Sequence, residues 1–290
     1  MIILDGKKSS QSVKDELMLQ VKQLKEAHKR VPHLAAILVG NNGASETYVA
    51  SKVKNCSEVG FRSSLIRFDI DVNERELLEA IIKLNNDDAI DGILVQLPLP
   101  KHISEQKIIE TISPKKDVDG FHPINAGKLV QGMPTFIPAT PYGMMLMFEY
   151  FNIETKGKNA VVIGRSNIVG RPMSILLSGN HRFGNCTVTI CHSHTKNLEE
   201  ICLQADIVVS AIGNPGMIKA NMIKQGAVVI DVGITRVEDA TATKGFRIKG
   251  DVDFEDVATK AGALTPVPGG VGLMTIAGLL KNTMQAYFNK

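Results

Sequence analysis

The chain has no tryptophan, and aromatic residues make up only 5% of its 290 positions. Basic and aromatic residues are nowhere interleaved, so a surface for stacking nucleobases is not expected. A charge excess is missing too: 33 Lys and Arg against 30 Asp and Glu leave a formal net charge of +3. That is too small to argue for nucleic acid or an acidic membrane surface as partner. No apolar run approaches the length of a membrane span. The short apolar start at Met1 has no basic segment before it, unlike a secretory signal. The four cysteines (Cys56, Cys186, Cys191 and Cys202) include no C-x-x-C pair, and they read as reduced thiols of a cytoplasmic protein. Cys191, His192 and His194 follow no common zinc spacing, so no metal is expected.

Hydrophobic residues at 44% and charged residues at 22% are ordinary for a globular protein. The length suggests about two domains, each able to bury its own core. In the front half Val13, Leu17, Val21 and Leu24 recur at helical spacing, with Ser12 and Asp15 as a candidate capping box. A strand is predicted at 34–39, a turn at 40–43, and a helix from about Ser45 to Val59 that stops at Gly60. On that helix Val49, Val53 and Cys56 are expected to face the core, with Tyr48 and Lys52 side by side on the neighbouring face. A strand at 64–68, a helix at 74–84 and an apolar run at 91–97 closed by Pro98 and Pro100 complete a β-α-β-α-β pattern. Such a pattern implies a parallel sheet with right-handed crossovers. A short helix is expected at 108–112, and the charged stretch 116–123 reads as an irregular loop.

Thr140-Pro141 opens the next helix, with Thr140 as N-cap and Met144, Met147 and Phe148 (or Phe151) as its apolar stripe. From Lys158 the strand–helix alternation restarts, with strands predicted at 160–163, 187–191, 206–210 and 227–232. Residues 243–247 read as a polar loop, and 275–287 as a closing helix that returns to the first domain. Within this half, Ala160 to Ile163 forms a buried strand that Gly164 breaks, and Gly170 precedes a helical segment. Strand, glycine turn, helix is the order in which a doubly wound sheet offers backbone N–H groups to a phosphate. The fingerprint is imperfect: Ser166 stands where a second glycine is usual, so a phosphate cradle and a plain tight turn compete. The second strand of this half ends in Cys191-His192-Ser193 with no acid, while the turn supplies Arg165 and Arg171. That balance favours NADP over NAD, against the alternative of solvated charges at a sheet rim.

Lys52 in mid-helix is either a surface lysine or an ammonium partly desolvated beside a ligand, where it can exchange protons. Gln96, at the carboxyl end of an apolar strand, is either a satisfied core amide or a partner for Lys52. Asp119 alone is more often a turn residue than a ligand contact.

Seven ordered blocks then resemble one family: GASETYVASK (43–52), DGILVQLPLP (91–100), KDVDGFHPIN (116–125), GRSNIVGRP (164–172), VIDVGI (229–234), GDVDF (250–254) and TPVPGGVG (265–272). The chain resembles the bifunctional methylenetetrahydrofolate dehydrogenase/methenyltetrahydrofolate cyclohydrolases over nearly its whole length. The resemblance implies an α/β protein of two parallel-sheet domains flanking a cleft, the second Rossmann-like and binding NADP. Residues 1–139, with the helix over 274–290 packed back on them, would form the folate-binding catalytic domain, and 140–273 the NADP-binding domain. It implies oxidation of 5,10-methylenetetrahydrofolate by NADP+ and hydrolysis of the product to 10-formyltetrahydrofolate. In the family, Lys52 would be the acid/base residue, tuned by Gln96; Tyr48 would line the folate and Asp119 hold the pterin. Leu97, Pro268 and Gly269 would also border the folate. Gly164, Arg165, Ser166, Ser193, Ile234 and Thr140 would contact the cofactor, and a homodimer is implied. Leu273, Ala139 and Asn41-Asn42 depart from the family's usual residues without touching the four catalytic candidates. Two other readings remain: a monofunctional NAD-dependent dehydrogenase, which would not need Lys52 and Gln96, and a noncatalytic dinucleotide sensor, which would not need Tyr48, Lys52 and Asp119 together.

Overall fold

The computed structural model describes residues 1–239, 241 and 245–290, and the chain divides into two compact units. One comprises Ser12–Ala139 and Ile276–Lys290; the other comprises Met1–Gln11 and Thr140–Thr275. The first eleven residues, reckoned above to the front domain, group with the rear one because of a short strand. This strand, β1 (Ile2–Ile3), pairs in parallel with Ala263 and Leu264. Helix α1 (Gly6–Glu26) follows, starting two turns before the expected capping box. Asp5 is the cap: its carboxylate accepts the N–H groups of Lys7 and Lys8 at 2.8 and 3.1 Å. Ser12 and Asp15 lie inside the helix. The first turns bury Gly6, Ser9 and Ser10, small residues that carry no hydrophobic periodicity.

In the front unit, β2 (His33–Val39), α2 (Gly43–Val59), β3 (Arg62–Phe68), α3 (Glu74–Asn85) and β4 (Gly92–Val95) alternate as the sequence implies. The sheet order is β3-β2-β4, all parallel. Central β2 is buried along all seven residues, as a strand covered on both faces must be. Ala35, Ile37 and Val39 pack with Leu77 and Ile81 of α3 and Ile93 and Val95 of β4. Helix α2 starts at Asn42, whose side chain accepts the N–H groups of Ala44 and Ser45, and stops at Gly60 in the left-handed conformation, φ 82°. After α4 (Glu105–Thr111) the charged stretch is irregular as far as His122, and a further helix that the sequence reading did not include, α5 (Pro123–Val130), starts at its end. Proline fits its first turn, and the His122 imidazole accepts the Ile124 N–H. The preceding charged residues mask so short a helix.

The rear unit opens with α6 (Ala139–Tyr150), so Thr140 sits in its first turn rather than at its N-cap. There follow β5 (Asn159–Ile163), α7 (Gly170–Ser178), β6 (Thr187–Cys191), α8 (Leu198–Leu203), β7 (Ile207–Ser210), β8 (Val228–Asp231), β9 (Thr235–Glu238), β10 (Phe246–Lys249), α9 (Phe254–Val257), β11 (Ala263–Leu264) and α10 (Val271–Phe288). Six parallel strands run in the order β1-β11-β8-β7-β5-β6. The chain steps from β5 out to β6 and then back to β7 on the other side of β5. That reversal makes a topological switch point at the carboxyl ends of β5 and β7, where doubly wound sheets take their ligands. Strands β9 and β10 pair as a separate antiparallel hairpin. Of the polar loop expected over 243–247, Thr243 and Lys244 lie outside the described residues, while Phe246 and Arg247 belong to β10. This hairpin's strands are four residues each and no residue in them is fully buried, too little apolar pattern to mark them.

Candidate active site

In the front unit, the buried residues of α2 are Ser45, Val49, Lys52, Cys56 and Val59, spaced four, three, four and three. Lys52 thus lies within the core-facing stripe, not beside it, while Val53 is only half-buried. The sequence reading exchanged these two because an ammonium is normally kept in water. At 8% exposure this one donates from Nζ to Gln96 Oε1 at 3.1 Å. Gln96 follows β4, and its Nε2 donates to the Leu97 carbonyl at 2.7 Å. The carbonyl takes the amide's donor end, which leaves Oε1 turned to the ammonium. One turn beyond Lys52, burial pushes the Cys56 thiol up to about 12, so it offers no nucleophile. Tyr48, one turn before it on α2, is half-buried.

Asp119 keeps some surface accessible but sits deep enough that desolvation raises its pKa. The charge of Lys52 acts in the opposite direction, which puts the carboxyl in the ammonium's field. Its backbone is fixed from three sides. The Asp119 carbonyl accepts the Ala139 N–H at 3.3 Å. Asn282, on α10, donates from Nδ2 to the carbonyls of Val118 and Ile137, both at 2.8 Å. Asp117 accepts from the N–H groups of Phe121 and His122 and from Asn125 Nδ2. Burial pushes Asp117 up to about 6. Asp117 and Asn282 escaped the sequence reading: an acid in a charged loop looks solvated, and an asparagine 163 positions after Asp119 has no local signal.

In the rear unit five of the candidates follow strands at the carboxyl edge of the six-stranded sheet. Gly164 ends β5 with φ 120°, and a Cβ there would lie 2.5 Å from the Ala211 carbonyl oxygen. A Cβ on Gly170 would lie 2.1 Å from the Gly164 oxygen. Only glycine therefore lets the turn close on the sheet and α7 close on the turn. Ser166, in the place of the missing glycine, accepts the N–H groups of Val169 and Gly170 on its hydroxyl. It caps α7 by side chain, and residues 165–168 remain exposed at the switch point. This narrow, uncovered turn fits a dinucleotide pyrophosphate. Ser193 is exposed just past β6. Beside it, partial burial, Arg165 and His194 together lower the pKa of His192. Ile234, after β8, is 44% exposed. Thr140 Oγ1 lies 3.0 Å from Thr275 Oγ1. The loop of Pro268 and Gly269 is tied down by the Gly6 N–H, which donates to the Gly269 carbonyl at 2.9 Å. The structure thus brings Lys52, Gln96 and Asp119 together, with Tyr48 and Leu97 next to them in the chain. It sets Gly164, Arg165, Ser166, Ser193 and Ile234 along one sheet edge. Among the described residues no group of three His, Cys, Asp or Glu side chains could hold a metal ion, and no helix is long and apolar enough to cross a membrane.

Residues 4–119 match the family described as tetrahydrofolate dehydrogenase/cyclohydrolase, catalytic domain, and residues 138–290 match its NAD(P)-binding domain. The bifunctional protein FolD of Flavobacterium johnsoniae is 59% identical over 286 residues, 99% of this chain and 97% of that protein. The crystal structure of the bifunctional methylenetetrahydrofolate dehydrogenase/cyclohydrolase FolD from Campylobacter jejuni superposes with a TM-score of 0.93 at 47% identity, covering 100% of this chain and 99% of its own. That of the Trypanosoma brucei dehydrogenase-cyclohydrolase, complexed with NADP cofactor and inhibitor, gives 0.94 at 37% identity, covering 100% and 98%. The chain belongs to the tetrahydrofolate dehydrogenase/cyclohydrolase family.

Proposed function

We propose that this chain is a bifunctional folate enzyme. It oxidises 5,10-methylenetetrahydrofolate to 5,10-methenyltetrahydrofolate with NADP+, then hydrolyses that product to 10-formyltetrahydrofolate. The observation that carries the reading is the buried Lys52 ammonium held 3.1 Å from Gln96 Oε1, in the field of Asp119. A lysine is buried in this way at a cost that packing alone does not require.

The front unit binds the folate. The Asp119 carboxylate accepts two parallel N–H bonds from the pterin's amino-amide edge, and Tyr48 and Leu97 border the rest. The rear unit binds the dinucleotide: Gly164 admits the pyrophosphate to the backbone, and Arg165 and Ser193 face the 2′-phosphate. No acid stands at the end of β6 to repel that group. Ser166 and Thr140 contact the cofactor, and Ile234 supports its nicotinamide half. NADP+ supplies the hydride acceptor. Loss of hydride leaves the methenyl carbon cationic. Water then adds to that carbon, Lys52 in its neutral amine form takes the proton released, and the carbon–N5 bond breaks with return of a proton to N5. Gln96 keeps Nζ aimed during the transfer. A cytoplasmic homodimer is part of the same reading.

The test is spectroscopic: the protein is mixed with methylenetetrahydrofolate and either NADP+ or NAD+, and methenyl absorbance is followed. The reading expects absorbance to rise with NADP+ and then decay faster than it does without protein. No rise with either cofactor would refute it. A rise without accelerated decay would remove the hydrolytic half, and a preference for NAD+ would overturn the cofactor assignment.

A further inference from the structure

Two buried acids at the carboxyl edge of the rear sheet are used by nothing described so far. Asp231, at the end of β8, is 3% exposed, and Asp251 is fully buried. Asp231 accepts the N–H groups of Gly233, Asp251 and Val252, each at 2.9 Å. Asp251 accepts the Ile212 and Asn214 N–H groups at 2.8 and 2.9 Å and the Ser210 hydroxyl at 3.1 Å. Six donors from three chain segments therefore converge on two carboxylates.

The glycines around them leave room for nothing else. A Cβ on Gly233 would fall 2.3 Å from Asp251 Oδ1, and one on Gly250 would fall 1.9 Å from Asp231 Oδ2. Both acids are satisfied by neutral donors, an arrangement that costs desolvation. Its gain is geometric: the segments 210–214 and 231–234 are locked to each other through 250–252. These two segments follow β7 and β8, on the far side of the switch point from β6. In a doubly wound sheet each side of that point carries one half of a dinucleotide. The β5–β6 side holds Arg165 and Ser193, which leaves the β7–β8 side for the nicotinamide. Ile234 stands there, apolar and 44% exposed.

We infer that Asp231 and Asp251 are positioning residues for the dehydrogenase step, a carboxylate pair that fixes the two loops on which the nicotinamide half of NADP+ rests. This inference rests on the proposed dinucleotide site, not on the hydrolytic chemistry. A consequence in pH follows from the same geometry. The polar groups facing Asp231 are Asp251, Ser210 of β7 by way of Asp251, and Thr265 after β11, whose hydroxyl accepts the Asp231 N–H. Burial, with Asp251 adding to it, pushes the Asp231 carboxyl up to about 6. Below that pH it takes a proton and ceases to be an acceptor on both oxygens for three N–H donors.

The experiment is NADP+ titration by calorimetry on the full-length protein from pH 5 to 8, with both activities assayed in parallel. The wild type is expected to lose nucleotide affinity as pH falls through about 6. Asp231→Asn is expected to bind NADP+ about tenfold more weakly at pH 7.5, with a flat pH profile below it. Its hydrolysis of supplied methenyltetrahydrofolate should stay within about twofold of wild type. Ser210→Ala, which removes one donor and no backbone bond, should weaken NADP+ binding severalfold in the same direction, and it decides the matter if Asp231→Asn does not fold. Unchanged NADP+ affinity in Ser210→Ala, or equal loss of both activities in the variants, would overturn the inference. A wild type that binds NADP+ but turns nothing over would count against the proposed function alone.

Discussion

Asp117 shows how far a side chain's meaning depends on burial. In the sequence it is one acid in a charged stretch; in the fold it accepts three donors beneath the turn that presents Asp119, and burial pushes it up to about 6. Its folded pKa lies above the unfolded value near 3.9, so the folded state binds the proton more tightly. Its contribution to stability is therefore full below about pH 4 and is lost as pH rises through about 6. Asp231 acts with the same sign over the same window. Asp117→Asn, which cannot ionise, should show a smaller drop in melting temperature than wild type between pH 4 and 6.5. Equal drops in the two proteins would contradict the assignment. The sequence offered Lys52, Gln96 and Asp119 as candidates with bland alternatives beside each, and it was the ordered family blocks that gave them roles. It could not offer Asp117, Asp231, Asp251 or Asn282, because nothing local tells a buried acid or amide from a solvated one.

Elements with end signals were legible. Gly60 was read as the stop of α2, where a left-handed residue ends the helix, whereas the start was placed at Ser45 and the caps Asn42 of α2 and Asn73 of α3 went unread. Elements that owe their existence to tertiary pairing were not legible. Strand β1 is two residues long and exists through Ala263 and Leu264, and β9 and β10 exist through each other. The turn from β5 to α7 lies between these cases. Its glycines were legible, whereas the capping by Ser166 in place of a glycine was not. Gly170→Ala tests that turn: its Cβ would lie 2.1 Å from the Gly164 oxygen, a backbone atom with little room to move. The variant should bind NADP+ at least tenfold more weakly, read by calorimetry, while hydrolysing supplied methenyltetrahydrofolate normally. Wild-type NADP+ affinity would show that the turn does not hold the pyrophosphate.

For the molecule as a whole, the division of labour between the two units is the central claim. Both units are parallel α/β, and this class was legible because β-branched apolar runs alternate with amphipathic segments twice over. The seam was less so: α1 contributes its first residues to one unit and the rest to the other, and α10 divides likewise at Thr275 and Ile276. No composition shift marks a boundary inside a helix. If proton transfer belongs to the front unit and nucleotide binding to the rear, removing the Lys52 amine must cost one function and spare the other. The decisive measurement compares wild type and Lys52→Met for hydrolysis of supplied 5,10-methenyltetrahydrofolate and for NADP+ affinity, with folding checked by circular dichroism. The account predicts a loss of hydrolysis of about 100-fold or more with NADP+ affinity unchanged. Wild-type hydrolysis in a folded Lys52→Met protein would contradict it.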